Sequence, residues 1–246
     1  MVLNMGLKRD LRIDTMQLRK TWGGVFDEMA IQSMHKLMKQ GHITEVKGVI
    51  KQGKESVVLN GMCGERTIAI KVYAIEAANF KRMWPYLAED PRFRNIKPDK
   101  RSIITAWAKK EFKNLERAAK VGVKCPEPLT VRNNILVMSF LGDDFVPAPR
   151  LNEIEIENPQ EIADKVIGSI KILYKNANIV HGDLSEFNIL LWNNEPYLID
   201  FSQSVVADHP NARTFLERDV KNVCRYFKKI GAECNAEEIL EELIEK

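Results

Sequence analysis

Residues 180–190 read VHGDLSEFNIL and place His181, Asp183 and Asn188 in the spacing H-x-D-x-x-x-x-N. Twelve residues after Asn188, the apolar run YLID ends in Asp200. A lone aspartate after apolar residues is more often a turn former, but these motifs in this order are hard to obtain by chance. Asn188 and Asp200 offer one neutral and one anionic oxygen, which are ligands that Mg²⁺ prefers. The stretch therefore predicts a magnesium site beside Asp183, for which the sequence suggests no partner and which would orient or deprotonate an attacking hydroxyl or water.

Upstream, three short β-branched runs, HITEVKGVI, SVVLNG and TIAIKVYAI, are separated by glycine-bearing turns and predict an antiparallel meander. The first turn resembles a Walker A phosphate loop, with Gly48, Gly53 and Lys54 in the required spacing. However, Glu55 stands where that loop needs Ser or Thr, and the chain continues from Ser56 as a strand rather than a helix. A hairpin loop that covers phosphates is instead typical of kinase-like nucleotide sites.

Lys71 lies in the third of these runs, and a helix is predicted from about Ile103 to Lys120, closed by Gly122. Helical spacing places Glu111 inside the apolar stripe of that helix. Because a lone buried charge is too costly, Glu111 must pair with a cation or have a raised pKa, and Lys71 is the expected partner. The polar face of the helix is expected to carry Lys109, Lys110, Lys113, Asn114, Glu116, Arg117 and Lys120.

A lysine on a strand, an H-x-D-x-x-x-x-N loop and a metal-binding aspartate, in this chain order, match the parts of a kinase. Gly182 replaces the arginine that most protein kinases have there, and only 46 residues follow Asp200, without an A-P-E sequence. The predicted fold class is therefore α+β: a two-lobed protein-kinase-like fold, with an antiparallel sheet plus helix in the small lobe. The large lobe is reduced and helical, without an activation loop or peptide-docking helices.

The segment NNILVMSFLG reads as a buried strand followed by a turn that would join the two lobes. A further helix is predicted from Pro159 to about Asn176. The chain is thus expected to divide into a helical N-terminal extension (1–41), a small lobe (42–138) that includes the basic, mobile stretch DPRFRNIKPDKRS, and a large lobe (139–246).

No apolar run approaches the roughly 20 residues of a membrane span, and the first residues lack the apolar core of a signal peptide. We therefore expect a cytoplasmic protein that does not bind a membrane. The cysteines show no CxxC pair and are expected to be reduced thiols, without a zinc site or a disulfide framework. They are Cys63, Cys125, Cys224 and Cys234.

Residues 81–124 carry thirteen Lys or Arg and five Asp or Glu, although the net charge of the whole chain is only +3. Such a block is typical of a surface that binds a polyanion. The alternative is a solvated basic face without a partner, and charge alone favours it.

Six stretches together resemble the RIO atypical protein kinases over about residues 43–230. The absence of room for a winged-helix domain in the first 41 residues indicates the type-one branch, and the compact length is similar to archaeal members. The stretches are GKESVVL, IAIKVY, NFKRMWPYLAEDPRF, AWAKKEFKNLERAAKVGVKCPEP, VHGDLSEFNIL and LIDFSQSVVADHPNARTFLERDVKNVCRYF.

The resemblance implies ATP with Mg²⁺ or Mn²⁺ between the lobes, autophosphorylation on serine, and ATP turnover that serves late maturation of the small ribosomal subunit. It also implies a basic flexible loop at about 75–105 in the small lobe. The implied partners are a protein or self serine substrate and the subunit precursor, whose RNA would meet the basic residues of 81–124. By motif position the resemblance assigns catalysis to Asp183 and Lys71; nucleotide binding to Lys54, Glu55, Ser56, Lys71, Glu111 and the hinge residues Met138, Phe140 and Leu141; metal binding to Asn188 and Asp200; and a candidate autophosphorylation site to Ser102.

Two alternatives remain open. Small-molecule phosphotransferases of the aminoglycoside kinase type share the HGDL and IDF motifs, but they build the acceptor pocket from long helical segments, for which 46 residues after Asp200 leave little. A non-catalytic module, in which nucleotide only sets the geometry of a ribonucleoprotein-binding surface, is the other. The presence of all catalytic positions argues against that loss of chemistry.

Overall fold

The small lobe is built on a five-stranded antiparallel sheet. The computed structural model describes residues 26–75, 79–93 and 96–244; most of the predicted N-terminal extension, residues 1–25, lies outside this part of the chain. The sheet has the order β1-β2-β3-β5-β4. Its strands are β1 Glu45–Gln52, β2 Ser56–Cys63, β3 Arg66–Tyr73, β4 Pro128–Arg132 and β5 Ile135–Ser139. The first three strands pair as the predicted antiparallel meander.

One face of this sheet is covered by helix α1, Glu28–Lys39, which begins at the N-cap Asp27. Met34 and Leu37 of α1 are buried in one cluster with Ile70 and Val72 of β3. Because successive side chains of a strand point to opposite faces, Lys71 between them faces away from α1. The alternation in β3 thus sends the candidate phosphate-binding lysine to the other side of the sheet.

Two helices pack on that other side: α2, Phe80–Ala88, and α3, Lys100–Lys120. Helix α2 lies within the stretch 75–105, which was expected to be a basic flexible loop. Helix α3 begins three residues earlier than predicted because Asp99 caps it, its side chain accepting a hydrogen bond from the backbone N–H of Ser102 at 3.0 Å. The predicted mobility of this stretch stays a prediction.

The predicted polar face of α3 is wrong at two positions. Lys110 and Asn114 were expected to be exposed, but both are fully buried. The prediction assumed a single apolar stripe facing the sheet. Helix α3 is instead covered on a second side by the segment 201–204, which follows Asp200, and polar side chains on that side are buried as well.

The large lobe is mainly helical, with short two-stranded ribbons. Asn158 caps its first helix and Pro159 occupies the first turn, as the sequence indicated. No helix in the described ranges has the length and apolar character needed to cross a membrane. The elements are β6 Gly142–Asp143, β7 Val146–Pro147, α4 Pro159–Lys175, β8 Ile179–Val180, β9 Ile189–Trp192, β10 Glu195–Leu198, β11 Val205–Val206, α5 Ala212–Lys229 and α6 Ala236–Ile244.

Two cysteines form a disulfide, contrary to the expectation of reduced thiols. Cys224 in α5 is bonded to Cys234, just before α6, with Cα atoms 5.1 Å apart. Between them the chain turns at Gly231, which has the left-handed φ of 95° and lets the connection run back along α5. A separation of ten residues belongs to no short cysteine motif, so the turn that brings the thiols together could not be seen in the sequence.

Candidate active site

The ammonium of Lys71 lies between two carboxylates. Its Nζ is 2.9 Å from Oε1 of Glu111 in α3 and 2.9 Å from Oδ1 of Asp200. The hydroxyl of Tyr73, two residues further along β3, also donates a hydrogen bond to Oε2 of Glu111. The pairing of Lys71 with Glu111 expected from the sequence is therefore present, and Asp200 joins it.

The two carboxylates respond differently to this shared cation. Burial raises the pKa of Glu111 to about 7, against the opposing effect of Lys71. Burial also disfavours the charge of Asp200, but the ammonium of Lys71 outweighs it and holds the pKa of Asp200 well below its usual range. The pKa of Lys71 is raised because both carboxylates together outweigh its burial. Lys71 and Asp200 thus form the charged pair at the centre of the site.

Asp200 adopts an unusual backbone conformation, with φ 65° and ψ 65°. This left-handed region costs a non-glycine residue about 1–2 kcal/mol. Such conformations persist only where surrounding contacts hold them, and here the side chain is held by Lys71 and by the hydroxyl of Ser202, which donates to Oδ1 at 2.8 Å. The turn leaves the Asp200 side chain 41% exposed, so that it can be reached from the cleft.

The loop with the H-x-D-x-x-x-x-N motif brings Asp183 and Asn188 next to this pair. Nδ2 of Asn188 donates to the backbone oxygen of Asp183 at 2.8 Å, and the N–H of Ile199 donates to the backbone oxygen of Asn188 at 3.0 Å. His181 is buried against Phe201 and directs Nε2 at the carbonyl of Ile199 at 3.0 Å, and burial lowers its pKa to about 4. His181 therefore supports the loop as a neutral imidazole.

Helix α5 holds the same loop from behind, through residues that the sequence analysis missed. The buried carboxylate of Asp219 accepts the backbone N–H groups of Gly182 at 2.7 Å and Leu184 at 2.9 Å, on either side of Asp183. The guanidinium of Arg218 donates to the carbonyl of Gly182. Burial raises the pKa of Asp219 to about 7, although both N–H groups and Arg218 oppose the shift.

The backbone conformation and the close packing at position 182 explain why glycine, rather than arginine, occupies it. Its φ of 78° lies in the left-handed region, and a Cβ there would stand 2.9 Å from the carbonyl oxygen of Gln203. A side chain at this position would be strained and would collide with the segment that follows Asp200. The loop and that segment are therefore packed backbone against backbone.

The segment after Asp200 is fixed to α3 by two buried polar side chains, also missed by sequence reasoning. Nζ of Lys110 donates to the carbonyls of Ser202, at 3.1 Å, and Ser204. Nδ2 of Asn114 donates to the carbonyls of Phe201 and Ser204, each at 3.0 Å. Burial lowers the pKa of Lys110 to about 7. One helix therefore positions Lys71, through Glu111, and the Asp200 segment, through these two side chains.

The predicted loop over the phosphates lies at the β1–β2 turn. Lys54 is exposed, while Glu55 and Ser56 are half-buried. The N–H of Gly53 donates to the carbonyl of Ser56 at 2.8 Å, and the N–H of Ala74 donates to the carbonyl of Glu55 at 2.9 Å. The turn is thus tied to the end of β3, the strand that carries Lys71.

The predicted hinge follows directly from the same sheet. Met138 of β5 lies opposite Ala69 of β3, and Leu136 lies opposite Lys71. Phe140 and Leu141 come next and are buried at the junction of the lobes. The hinge and Lys71 therefore belong to adjacent strands, with a short interval of sheet between them.

Ser102 is not brought to this site. It lies in the first turn of α3, where its hydroxyl donates to Oδ2 of Asp99 at 2.6 Å. Nine residues of helix, about 13 Å, separate it from Glu111. To act as a phosphate acceptor in the same molecule, Ser102 would have to leave this capped turn.

The sequence of this chain is similar to those of known proteins. The sequence model of the family described as 'RIO domain' matches residues 55–239 of this chain. The RIO-type serine/threonine-protein kinase Rio1 of Haloferax volcanii is 41% identical over 218 residues, which cover 88% of this chain and 75% of the relative. The protein of the same name from Methanocaldococcus jannaschii is 40% identical over 220 residues, with 89% and 76% covered.

Solved structures support the fold at lower identity. The Rio2 kinase–ADP/Mg²⁺–phosphoaspartate complex from Chaetomium thermophilum aligns with a TM-score of 0.67 at 22% identity, covering 89% of this chain and 67% of that one. The streptomycin–ATP–APH(2")-IIa ternary complex aligns with a TM-score of 0.52 at 13% identity, covering 83% and 80%. These likenesses concern the fold, which is the predicted two-lobed kinase-like fold. On the family match and the archaeal relatives, the chain belongs to the RIO family of atypical protein kinases, in its archaeal-like type-one branch.

Proposed function

We propose that this protein is an ATP-dependent serine/threonine protein kinase that autophosphorylates and also hydrolyses ATP, acting in late maturation of the small ribosomal subunit. The observation that carries the catalytic part is the ammonium of Lys71 held 2.9 Å from both Glu111 and Asp200, beside the Asp183 loop. The names of the archaeal relatives support a protein substrate. The ribosomal role rests on the family resemblance.

The donors present fit Mg²⁺ or Mn²⁺. The amide nitrogen of Asn188 is used for the carbonyl of Asp183, which leaves its oxygen for a cation. The partly exposed carboxylate of Asp200 is held ionised by Lys71. Both are hard oxygen ligands, and a site with only two protein ligands suits an ion that keeps positions for phosphate and water. When bound between Asn188 and Asp200, the metal would supply positive charge that neutralises the phosphates of ATP.

The residues of the chain have distinct tasks in the transfer. Lys71 would bind phosphate oxygens of ATP as a fixed positive charge, and Glu111 would keep it in place. The acceptor, a serine hydroxyl or water, attacks the γ-phosphorus while the bond to the β–γ bridging oxygen breaks and ADP leaves. The carboxylate of Asp183 takes the proton of the acceptor. Lys54 to Ser56 would cover the phosphates, and the hinge Met138 to Leu141 would face adenine.

A basic surface accompanies this site and would meet the RNA of the subunit precursor. Along α3 and its approach, Lys and Arg side chains line two open grooves. Lys110 does not belong to this surface because it is buried. Contacts with RNA phosphates would give an affinity that falls with salt. The residues lining the grooves with positive charge are Lys97, Arg101, Lys109, Lys113, Arg117 and Lys120.

A time course with γ-labelled ATP and magnesium tests the catalytic proposal, following released and protein-bound phosphate. We expect Asp183→Ala to lower turnover at least about 100-fold, since general-base catalysis contributes 10²–10⁴-fold. Asp208→Ala is the matched control, because Asp208 is an exposed aspartate beyond the site. The bound fraction separates kinase from ATPase activity.

The same variant tests the ribosomal role. If ATP hydrolysis releases the protein from its partner, Asp183→Ala should remain bound to small-subunit precursors. Release as fast as that of the wild type would overturn this role while leaving the chemistry intact. Equal turnover in wild type and Asp183→Ala would overturn the catalytic assignment, and ATP binding without turnover in either would favour a nucleotide-gated binding module.

A further inference from the structure

Gln203 connects the candidate catalytic aspartate, Asp183, to helix α2, which has no role in the function proposed above. It ends the short 3₁₀ helix Phe201–Gln203, directly after Asp200. Its Nε2 donates a hydrogen bond to Oδ2 of Asp183 at 2.9 Å. Its Oε1 accepts a hydrogen bond from the hydroxyl of Tyr86, in α2, at 3.2 Å. A continuous chain of hydrogen bonds thus runs from α2 to the carboxylate of Asp183.

The tyrosine in this chain is firmly held. The Tyr86 ring stacks on Phe215 of α5 at a centroid distance of 5.4 Å and meets the edge of Trp107 of α3 at 5.9 Å. Rings packed on two sides lose little further freedom when the hydroxyl forms a hydrogen bond. Tyr86 therefore offers its hydroxyl to Gln203 from a fixed position.

The hydrogen bond from Tyr86 determines which end of the Gln203 amide faces Asp183. An amide has an acceptor at one end and a donor at the other. Because the hydroxyl of Tyr86 satisfies the oxygen of Gln203, the NH₂ group is turned toward Asp183. A flipped amide would set its oxygen against the carboxylate oxygen, which is unfavourable. A hydrogen bond to an ionised carboxylate is among the stronger ones in proteins.

The segment that carries Tyr86 is anchored at its other end as well. Asp90, just after α2, is fully buried and binds Arg92 through both carboxylate oxygens. Nη1 of Arg92 donates to Oδ1 of Asn114 at 2.9 Å. Asn114 in turn binds the backbone on either side of Gln203. Residues 79–93 thus contact the segment after Asp200 through two independent routes.

We propose that Gln203 is a positioning residue that orients the Asp183 carboxylate for phosphoryl transfer, and that Tyr86 orients Gln203, so that transfer depends on the docking of α2. In this arrangement α2 supports the carboxylate of the catalytic loop through Tyr86 and Gln203. The proposal rests on the proposed phosphotransfer function. It concerns kcat rather than nucleotide affinity, because the contact of Gln203 is with Asp183.

Steady-state kinetics of the full chain test this, with ATP and magnesium and the release of labelled phosphate as readout. Gln203→Met keeps the length of the side chain and removes the amide, while Gln203→Glu keeps the acceptor for Tyr86 and removes the donor. We expect both to lower kcat about 10- to 100-fold, from the loss of one charge-assisted hydrogen bond, with KM for ATP within about twofold. Tyr86→Phe should lower kcat about 3- to 10-fold, and should have no further effect in the Gln203→Met background.

Matched controls separate positioning from stability. Gln160→Met removes an exposed amide of α4, and Tyr226→Phe removes a tyrosine hydroxyl that donates to the carbonyl of Leu151. Both should leave kcat within twofold of wild type. Gln203 variants that keep wild-type kcat, or that lose thermal stability and ATP affinity in parallel with kcat, would overturn the proposal, and independent effects of Tyr86→Phe and Gln203→Met would overturn the relay. A wild type without turnover would instead remove the proposed function itself.

Discussion

Helix α3 and helix α5 each place a carboxylate in the protein interior, Glu111 and Asp219. The two carboxylates have different hydrogen-bond partners. Glu111 of α3 meets the ammonium of Lys71 and the hydroxyl of Tyr73. Asp219 of α5 meets two backbone N–H groups of the catalytic loop. Burial raises the pKa of both to about 7. The first carboxylate fixes a side chain of the small lobe, and the second fixes the backbone around Asp183.

This difference shows how the two lobes share the site. The small lobe supplies Lys71, whose long side chain has many rotamers and needs a charged partner to hold its ammonium in one position. The large lobe supplies a loop, whose backbone needs acceptors for its N–H groups, since buried groups without partners are costly. In the proposed function, the first contact would serve the binding of phosphates and the second would serve the orientation of the proton acceptor.

Removing the cation from the α3 carboxylate should have the largest effect. Lys71→Met deletes the positive charge that would bind ATP phosphates and leaves Glu111 buried without it. We expect turnover to fall roughly 100- to 1,000-fold, as for the loss of a transition-state charge donor. The free energy of unfolding should fall by about 3 kcal/mol, as for other broken buried pairs. Phosphate release and urea unfolding measure the two effects.

Lys113→Met provides the control, because Lys113 is an exposed lysine of the same helix, in a surface pair with Glu116. Exposed pairs contribute about 0–1 kcal/mol, so neither turnover nor stability should change much. If Lys71→Met keeps more than a tenth of wild-type turnover, Lys71 has no major catalytic role. The contact between Glu111 and Lys71 would then not serve phosphate binding, and the proposed difference between the two carboxylates would be wrong.

The sequence could reveal the α3 contact because both partners are side chains in recognisable patterns. Glu111 interrupts an apolar helical stripe. Lys71 lies in a strand whose apolar residues Ile70 and Val72 flank it and point to the opposite face of the sheet. Asp219 also interrupts a buried stripe, that of Leu216, Val220 and Val223, and the same argument would have marked it as buried. Its partners are backbone N–H groups, however, and no side-chain pattern indicates which loop supplies them.

Other features escaped prediction for a related reason. Lys110 and Asn114 were assigned to a solvated face because helical spacing shows one apolar stripe, whereas their acceptors are carbonyls of a distant segment. One partner of Asp183, the amide of Gln203, was missed because it lies twenty residues further along the chain. The motifs of the Asp183 loop and of Asp200 are local, so the sequence alone was enough to predict roles for these residues.

Removing the α5 carboxylate should have the next largest effect. Asp219→Ala leaves the N–H groups of Gly182 and Leu184 buried without acceptors, and each such group costs about 1–3 kcal/mol. We expect stability to fall by about 3 kcal/mol and turnover to fall about 10- to 100-fold, with KM for ATP little changed. Asp164→Ala is the control, an exposed aspartate of α4. A rise in KM without a fall in kcat would show that α5 supports the nucleotide rather than Asp183.

The smallest effect, and the sharpest test of the comparison, is the pH dependence of Asp219→Asn. The pKa of Asp219 is raised from 3.8 to about 7, chiefly by burial. Between these values the folded protein binds a proton that the unfolded chain has lost, so the stabilising contribution of Asp219 is complete below about pH 4 and declines as pH rises toward 7. The amide that replaces the carboxyl group in this variant does not titrate, although its single oxygen is a poorer acceptor for two N–H groups.

The free energy of unfolding of Asp219→Asn, measured by urea at pH 4.5, 6 and 7.5 beside the wild type, should therefore rise relative to wild type with pH. A change on the order of 2 kcal/mol across this range is expected. Glu111 titrates in the same window but is present in both proteins, so the difference isolates Asp219. A relative stability that does not change with pH would mean that the two N–H groups and Arg218 outweigh burial, and that the α5 carboxylate is ionised throughout this range.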